Sequence, residues 1–139
     1  MIPALEPRRR LVGVCLLALA TTVIVHVRLL PGYFPGDFTR GLPFLAVGWG
    51  SYLLFFYALG RLRPLDDTMP NMRATDLGVA LFLFAIVLSG LLDTAGLTLA
   101  GTPSAHLFPA IGVYIGLALA GWGFGTRTRA VNRIVTEAD

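Results

Sequence analysis

The residues DLGVALFLFAIVLSGLLDTAGLTLA, numbers 76–100, decide the fold of this chain. Between Asp76 and Asp93 they include sixteen consecutive residues without a charge. The hydrocarbon core of a bilayer is about 30 Å thick, so a helix that spans it needs roughly 20 mainly apolar residues. Because lipid offers no hydrogen-bond partner to a free backbone group, a spanning segment of this kind is helical. The stretch is therefore predicted to be a membrane helix.

Three similar apolar blocks accompany it, at about residues 11–30, 42–60 and 106–125. Of the 139 residues, 55% are hydrophobic and 14% are charged, whereas a soluble domain carries about 25% charged residues. The four blocks leave no room for a separate soluble domain. We therefore predict one membrane domain over residues 1–139, all-α, with four helices in an up-and-down bundle.

The distribution of arginine predicts the orientation of this bundle. Cytoplasmic loops and termini of membrane proteins carry an excess of basic residues. All eleven basic residues here are arginines, and only Arg28 and Arg40 fall on one side of the predicted helices. We expect both termini and the middle loop to be cytoplasmic and the protein to lie in the cell membrane. The nine arginines on that side are Arg8, Arg9, Arg10, Arg61, Arg63, Arg73, Arg127, Arg129 and Arg133.

Small residues mark the helix faces that should pack against other helices, because they let two backbones approach closely in lipid. The fourth predicted helix carries Gly112, Gly116 and Ala120 at four-residue spacing, and the third carries Ala85 and Gly96 on one stripe. The pattern fits packing between helices of the same chain. It also fits a contact with a second copy or with another membrane subunit.

Asp93 is the most informative polar residue, because a carboxylate inside a membrane helix is costly and is paired, protonated or functional. We expect it to lie about five residues inside the outer end of the third helix. His26, on the packing face of the first helix at a similar depth, is its expected partner. The pair could accept protons or anchor a cation or substrate, or it could be a structural bridge between helices.

Other polar residues complete the set of candidates. His106 begins the fourth predicted helix and is expected to face the interface or solvent rather than the core, while Ser89 and Thr22 lie on the packing stripes. Two histidines on the first and last helices also permit a b-type haem, a metal site of His26, Asp93 and His106, or a quinone pocket beside Asp93. We expect no metal and no cofactor, with haem and quinone as the weaker alternatives.

The predicted function is that of a small polytopic membrane protein that acts by association, as an accessory or structural subunit of a membrane complex. One alternative is a small transporter or proton-coupled protein that uses Asp93 and His26. A second is a redox subunit that binds haem or quinone. The expected partners are the lipid bilayer and other membrane subunits or a second copy. No enzymatic activity is expected, and no nucleic-acid partner, because the arginines lie at helix ends rather than on a basic stripe.

Overall fold

A computed structural model of the chain describes residues 5–63 and 71–139. Within these two segments all regular structure is helical, and four helices are long and apolar enough to cross a membrane. The predicted all-helical class is confirmed, and so is the presence of four helices of sufficient length and apolarity to span a membrane. The predicted middle loop falls mostly on residues 64–70, which lie outside the described residues. The four helices are α1 Leu5–Ile24, α2 Phe38–Leu62, α3 Arg73–Thr94 and α4 Leu107–Ala138.

Three helix ends differ from the sequence-based boundaries, each for a local reason. α2 begins before residue 42 because the Asp37 side chain caps it, accepting a hydrogen bond from the Arg40 backbone N–H at 3.2 Å. α3 ends at Thr94 rather than residue 100, because Gly96 adopts a left-handed conformation with φ +89°. α4 continues thirteen residues past the apolar block, since residues 126–138 include neither proline nor glycine.

The end of α3 is a Schellman motif, in which a left-handed glycine closes the last turn. The Gly96 N–H donates to Asp93 O at 3.0 Å, and the Leu97 N–H donates to Leu92 O at 2.9 Å. These two bonds satisfy carbonyl groups that the helix itself cannot satisfy. The predicted extension of the helix to residue 100 was wrong for this reason, and Gly96 lies in a turn rather than on a packing stripe.

α4 lies between α2 and α3, while α1 packs against α2 on the outer side of this unit. The apolar core of the unit is formed by Ala85 of α3 and by Val113 and Leu117 of α4. Four partly buried residues of α2 and α3 surround this core: Trp49, Tyr52, Leu53 and Phe82. The helices are therefore arranged in the spatial order α1, α2, α4, α3.

Glycines of α2 and α4 allow these two helices to meet backbone to backbone. A Cβ atom at Gly121 would lie 2.5 Å from Leu53 O, and one at Gly60 would lie 2.6 Å from Trp122 O. Real Cβ atoms do not approach backbone oxygen this closely, so any larger residue would push the helices apart. Gly125 is packed against Tyr57 in the same way. The contact extends along α4 from residue 121 to residue 125.

The opposite side of α4 makes an equally close contact with α3. A Cβ atom at Gly116 would lie 2.7 Å from both Gly78 O and Phe82 N, and one at Gly112 would lie 3.0 Å from Ala85 Cβ. Gly112, Gly116 and Ala120 thus pack against α3 of the same chain. We call the two contacts of α4 with α2 and α3 the glycine seam.

The order of these contacts gives the relative directions of three helices. Thr75 lies against Gly123 at one end of the α3–α4 contact, and Ser89 bonds His106 at the other end. Along this contact the residue numbers of α3 rise while those of α4 fall, so α3 and α4 run in opposite directions. Along α2 and α4 both numbers rise together, from the Leu53–Gly121 contact to the contact of Tyr57 with Gly125, so these two helices run in the same direction.

The glycine seam yields a direct test with Gly116→Ala. The added methyl group meets backbone atoms of α3, so we expect a loss of about 1–3 kcal/mol in unfolding free energy. Gly90→Ala on α3 is the matched control, because a Cβ atom there has nothing within 4 Å. Thermal unfolding in a mild detergent, followed by size-exclusion chromatography, measures both. Equal stability of the two variants would contradict the packing described for the seam.

Candidate intramembrane polar site

The helix that carries His26 changes its winding at that residue. α1 is α-helical to Ile24, and residues Val25–Leu29 then form a π-helical turn in which the Leu30 N–H donates to Val25 O. Pro31 follows, and since proline has no N–H the α-helical ladder cannot continue through it. A 3₁₀ turn, Leu30–Gly32, ends the segment. Such π-helical turns are rare and often occur at functional sites.

Both ring nitrogens of His26 are hydrogen-bonded. Nδ1 lies 2.8 Å from Thr22 O, and Nε2 lies 2.5 Å from the hydroxyl of Tyr114 on α4. A carbonyl oxygen only accepts, so Nδ1 carries the proton and donates to Thr22 O. In the neutral ring Nε2 is then an acceptor, and the Tyr114 hydroxyl donates to it. The hydrogen bonds therefore assign both the tautomer of His26 and its partner.

Two hydroxyl groups extend the site from α1 to α2. Thr22 Oγ1 lies 2.9 Å from Ser51 Oγ and 2.8 Å from Ala18 O, while Ser51 Oγ lies 3.0 Å from Gly48 O. Two hydroxyl protons serve these three contacts, so at any moment one of the contacts has no proton of its own. We define the polar site as Thr22, His26, Ser51 and Tyr114.

Close packing fixes the position of the imidazole ring against α2 and α4. A Cβ atom at Gly48 would lie 2.9 Å from His26 Cε1, so only glycine leaves room for the ring at that place. The Tyr114 ring contacts His26 edge-on with a centroid distance of 5.3 Å, and it contacts Tyr52 at 5.2 Å. The site thus joins α1, α2 and α4 by polar and aromatic contacts.

Asp93 does not pair with His26, contrary to our prediction. It lies one residue before the end of α3 and is exposed, and in the described part of the chain its carboxylate makes no hydrogen bond or ion pair. The reason is the Schellman motif at Gly96, which ends the helix at Thr94 and leaves Asp93 in its last turn. A charge near the end of a spanning helix costs far less than one at the bilayer centre. Asp93 is therefore separate from the polar site.

His106 is also placed differently from the prediction, because it is buried with 6% of its surface exposed. Its Nε2 donates to Leu97 O at 2.6 Å, and its Nδ1 accepts a hydrogen bond from Ser89 Oγ at 2.7 Å. The prediction treated His106 as part of an α-helix, whereas residues Pro103–His106 form a 3₁₀ turn that rotates the side chain inward. His106 joins the end of α3 to the start of α4.

The two histidines belong to separate places in the fold. His26 meets α4 at Tyr114, eight residues and about 12 Å along the helix from His106. All four ring nitrogens are engaged in hydrogen bonds. Across residues 5–63 and 71–139, no group of three histidine, cysteine, aspartate or glutamate side chains could hold a metal ion.

Sequence reasoning missed Tyr114, Ser51 and Gly48. A signal for Tyr114 was present, because a tyrosine inside an apolar helix needs a hydrogen-bond partner for its hydroxyl group. Ser51 on α2 also carries a hydroxyl group that needs a hydrogen-bond partner. The side-chain direction that brings His26 to these residues depends on the π-helical turn, and no residue pattern predicted that turn.

The polar site predicts a measurable coupling between His26 and Tyr114. Tyr114→Phe leaves His26 Nε2 without its donor, so we expect a loss of about 1 kcal/mol in unfolding free energy. A double-mutant cycle with His26→Leu should give a coupling of about 0.6–1.7 kcal/mol, the range for bonds between membrane helices. Tyr33→Phe, at a ring that stacks on Phe44, is the control and should change little. Additive effects of the His26 and Tyr114 substitutions would refute the bond.

The chain was also compared with known proteins. Comparison with protein-family models, with curated proteins and with solved structures gave no match.

Proposed function

We propose that this protein is an accessory subunit of a membrane complex, an up-and-down four-helix bundle that acts by association with other membrane proteins. The glycine seam is the observation that carries the proposal. α4 is packed backbone to backbone against both α2 and α3, which leaves little space for a ligand or a transport pathway between them. A solid, closely packed unit of this kind is suited to a scaffold.

The hydrogen bonds inside the spans support the same role. His26, Thr22, Ser51 and Tyr114 all bond to groups of this chain, so these polar side chains hold helices together. The outer face of α1 is strongly apolar and uncovered, with Leu17 70% exposed. In a membrane such a face contacts lipid or the helix of another subunit.

We also propose that the protein lies in the cytoplasmic membrane and that both of its termini face the cytoplasm. Arginines support it through their position in the fold. Arg61, Arg63 and Arg129 lie together at one end of the bundle, because Arg129 Nη1 donates to the backbone oxygens of both other residues. The opposite end carries the 3₁₀ turn with His106 and the Schellman motif.

Purification of the tagged chain in a mild detergent tests the proposed association. We expect one or more membrane proteins to co-purify at a fixed stoichiometry, as measured by native mass spectrometry. In whole cells, a cysteine introduced at Thr136 should be shielded from a membrane-impermeant thiol reagent, and one introduced at Thr102 should react. The cysteine background is Cys15→Ala.

A chain that elutes alone, as a single species of its own mass, would contradict the association. The reverse labelling pattern would contradict the orientation and leave the association standing. Leu17→Arg, on the uncovered face of α1, examines whether that face contributes, and Leu83→Arg on the exposed face of α3 is its matched control.

A second candidate function is proton-coupled transport at the polar site, which the π-helical turn at His26 favours. The neutral ring accepts from Tyr114, and on taking up a proton it would donate from both nitrogens, so the Tyr114 hydroxyl would have to reverse its role. Proton uptake would thus change the contact between α1 and α4. The predicted use of Asp93 together with His26 is no longer part of this candidate, because the two residues do not pair.

Liposomes that contain a pH-sensitive dye test this second candidate. We expect the wild-type chain to dissipate an imposed pH gradient faster than empty liposomes do, and His26→Leu to abolish the difference. Asp93→Asn should behave as the wild type, because Asp93 lies away from the polar site. If the wild-type chain adds no flux over empty liposomes, proton transport by the chain alone is excluded.

A further inference from the structure

The α2–α4 contact concentrates positive charge at the end where α2 ends. Arg129 Nη1 on α4 donates to Arg61 O at 3.0 Å and also to Arg63 O. Carbonyls in the last turn of a helix have no partner within it, and a guanidinium group satisfies them well. The backbone bonds therefore hold Arg129 beside the two arginines that end α2. We call Arg61, Arg63 and Arg129 the arginine cluster.

Two members of the cluster have donors without a hydrogen-bond acceptor in the described part of the chain. Arg61 lies along Tyr57, with its Nη1 3.5 Å from the phenol oxygen, and its Nε is buried without an acceptor in the described part of the chain. Arg63 is exposed and lies over the Trp122 ring at 5.4 Å. Aromatic residues thus hold both side chains in place, Arg61 by the ring and the phenol oxygen of Tyr57 and Arg63 by the ring of Trp122.

In the described part of the chain no member of the cluster pairs with a carboxylate, whereas Arg40 pairs with Asp37 and Arg133 pairs with Glu137. Three guanidinium groups at one helix end repel one another, and an anion placed among them removes that repulsion. Arginine presents planar, forked N–H donors that match phosphate oxygens.

The depth of the cluster identifies the kind of anion. Arg61 and Arg63 flank the last residue of the α2 span, Leu62, and Tyr57 and Trp122 are aromatic residues of the type found at the membrane interface. Below them the bundle exposes apolar side chains, with Leu59 36% and Phe124 43% exposed, on which an acyl chain can lie. Phosphate at headgroup level with hydrocarbon beneath it is the chemistry of a phospholipid.

We propose that Arg61 and Arg63 bind the phosphate of an anionic phospholipid, with Arg129 positioning them through the backbone of α2. The assignment of this lipid to the cytoplasmic leaflet rests on the proposed orientation, but the binding itself does not. The phosphate of the bound lipid would neutralise the positive charge of the arginine cluster at the end of the α2–α4 contact. It would also give the complex a preference for membranes rich in anionic lipid.

Native mass spectrometry of the whole chain, released from nanodiscs of phosphatidylcholine and phosphatidylglycerol, tests the proposal. We expect the wild type to retain one phosphatidylglycerol molecule, and Arg61→Gln with Arg63→Gln to lower the retained fraction by about tenfold or more. Arg8→Gln with Arg9→Gln removes the same charge from the same side of the bundle and should retain the lipid. Equal losses in the two double variants would overturn a specific site.

A single substitution at an exposed residue keeps the test valid if the double variant misfolds. Arg63→Gln changes a side chain on the surface, so the fold should survive, and we expect a partial loss of retained lipid, about threefold. Unchanged retention in Arg63→Gln would overturn its role. Thermal stability should rise with added phosphatidylglycerol and stay constant with inorganic phosphate alone, and an equal rise with both would show that the ligand is free phosphate rather than lipid.

Discussion

Hydrocarbon cannot hydrogen-bond, and most features of this molecule follow from that constraint. Every backbone group of a spanning segment must find a partner inside the segment, so the chain forms four long helices. Several polar side chains of the apolar helices meet the same condition. His26 uses both ring nitrogens, and Tyr114 and Ser51 find partners on neighbouring helices. The polar site therefore also helps to hold α1 to the rest of the bundle, beside its packing on α2.

Attraction between apolar surfaces contributes little inside a membrane, because lipid is as apolar as the side chains. Close packing takes its place, and glycine makes it possible. Gly121 and Gly60 bring α2 and α4 together, and Gly116 does the same for α3 and α4. Away from these contacts the bundle exposes large apolar side chains, such as Leu17 and Phe108. The molecule is thus most closely packed where its helices meet, and its side chains are more exposed elsewhere.

The sequence predicted the four spans well because apolar length is a property of composition, which needs no knowledge of contacts. It also predicted that Gly112, Gly116 and Ala120 line a packing face, since their spacing follows from helix geometry. Local conformation limited the rest. The left-handed turn at Gly96 left Asp93 in the last turn of α3, and the 3₁₀ turn before α4 turned His106 inward. Each displaced a residue whose direction had been extrapolated from a regular helix.

The spatial order of the helices has a consequence for synthesis of the protein. α2 and α3 are neighbours in sequence, yet their backbones do not meet in the described part of the chain, because α4 lies between them. A ribosome delivers α4 after the other three helices. Until then α2 and α3 lack the helix that packs between them, and the face of each that contacts α4 is open. The core, in which Ala85 of α3 packs with Val113 and Leu117 of α4, therefore closes only when α4 has been made.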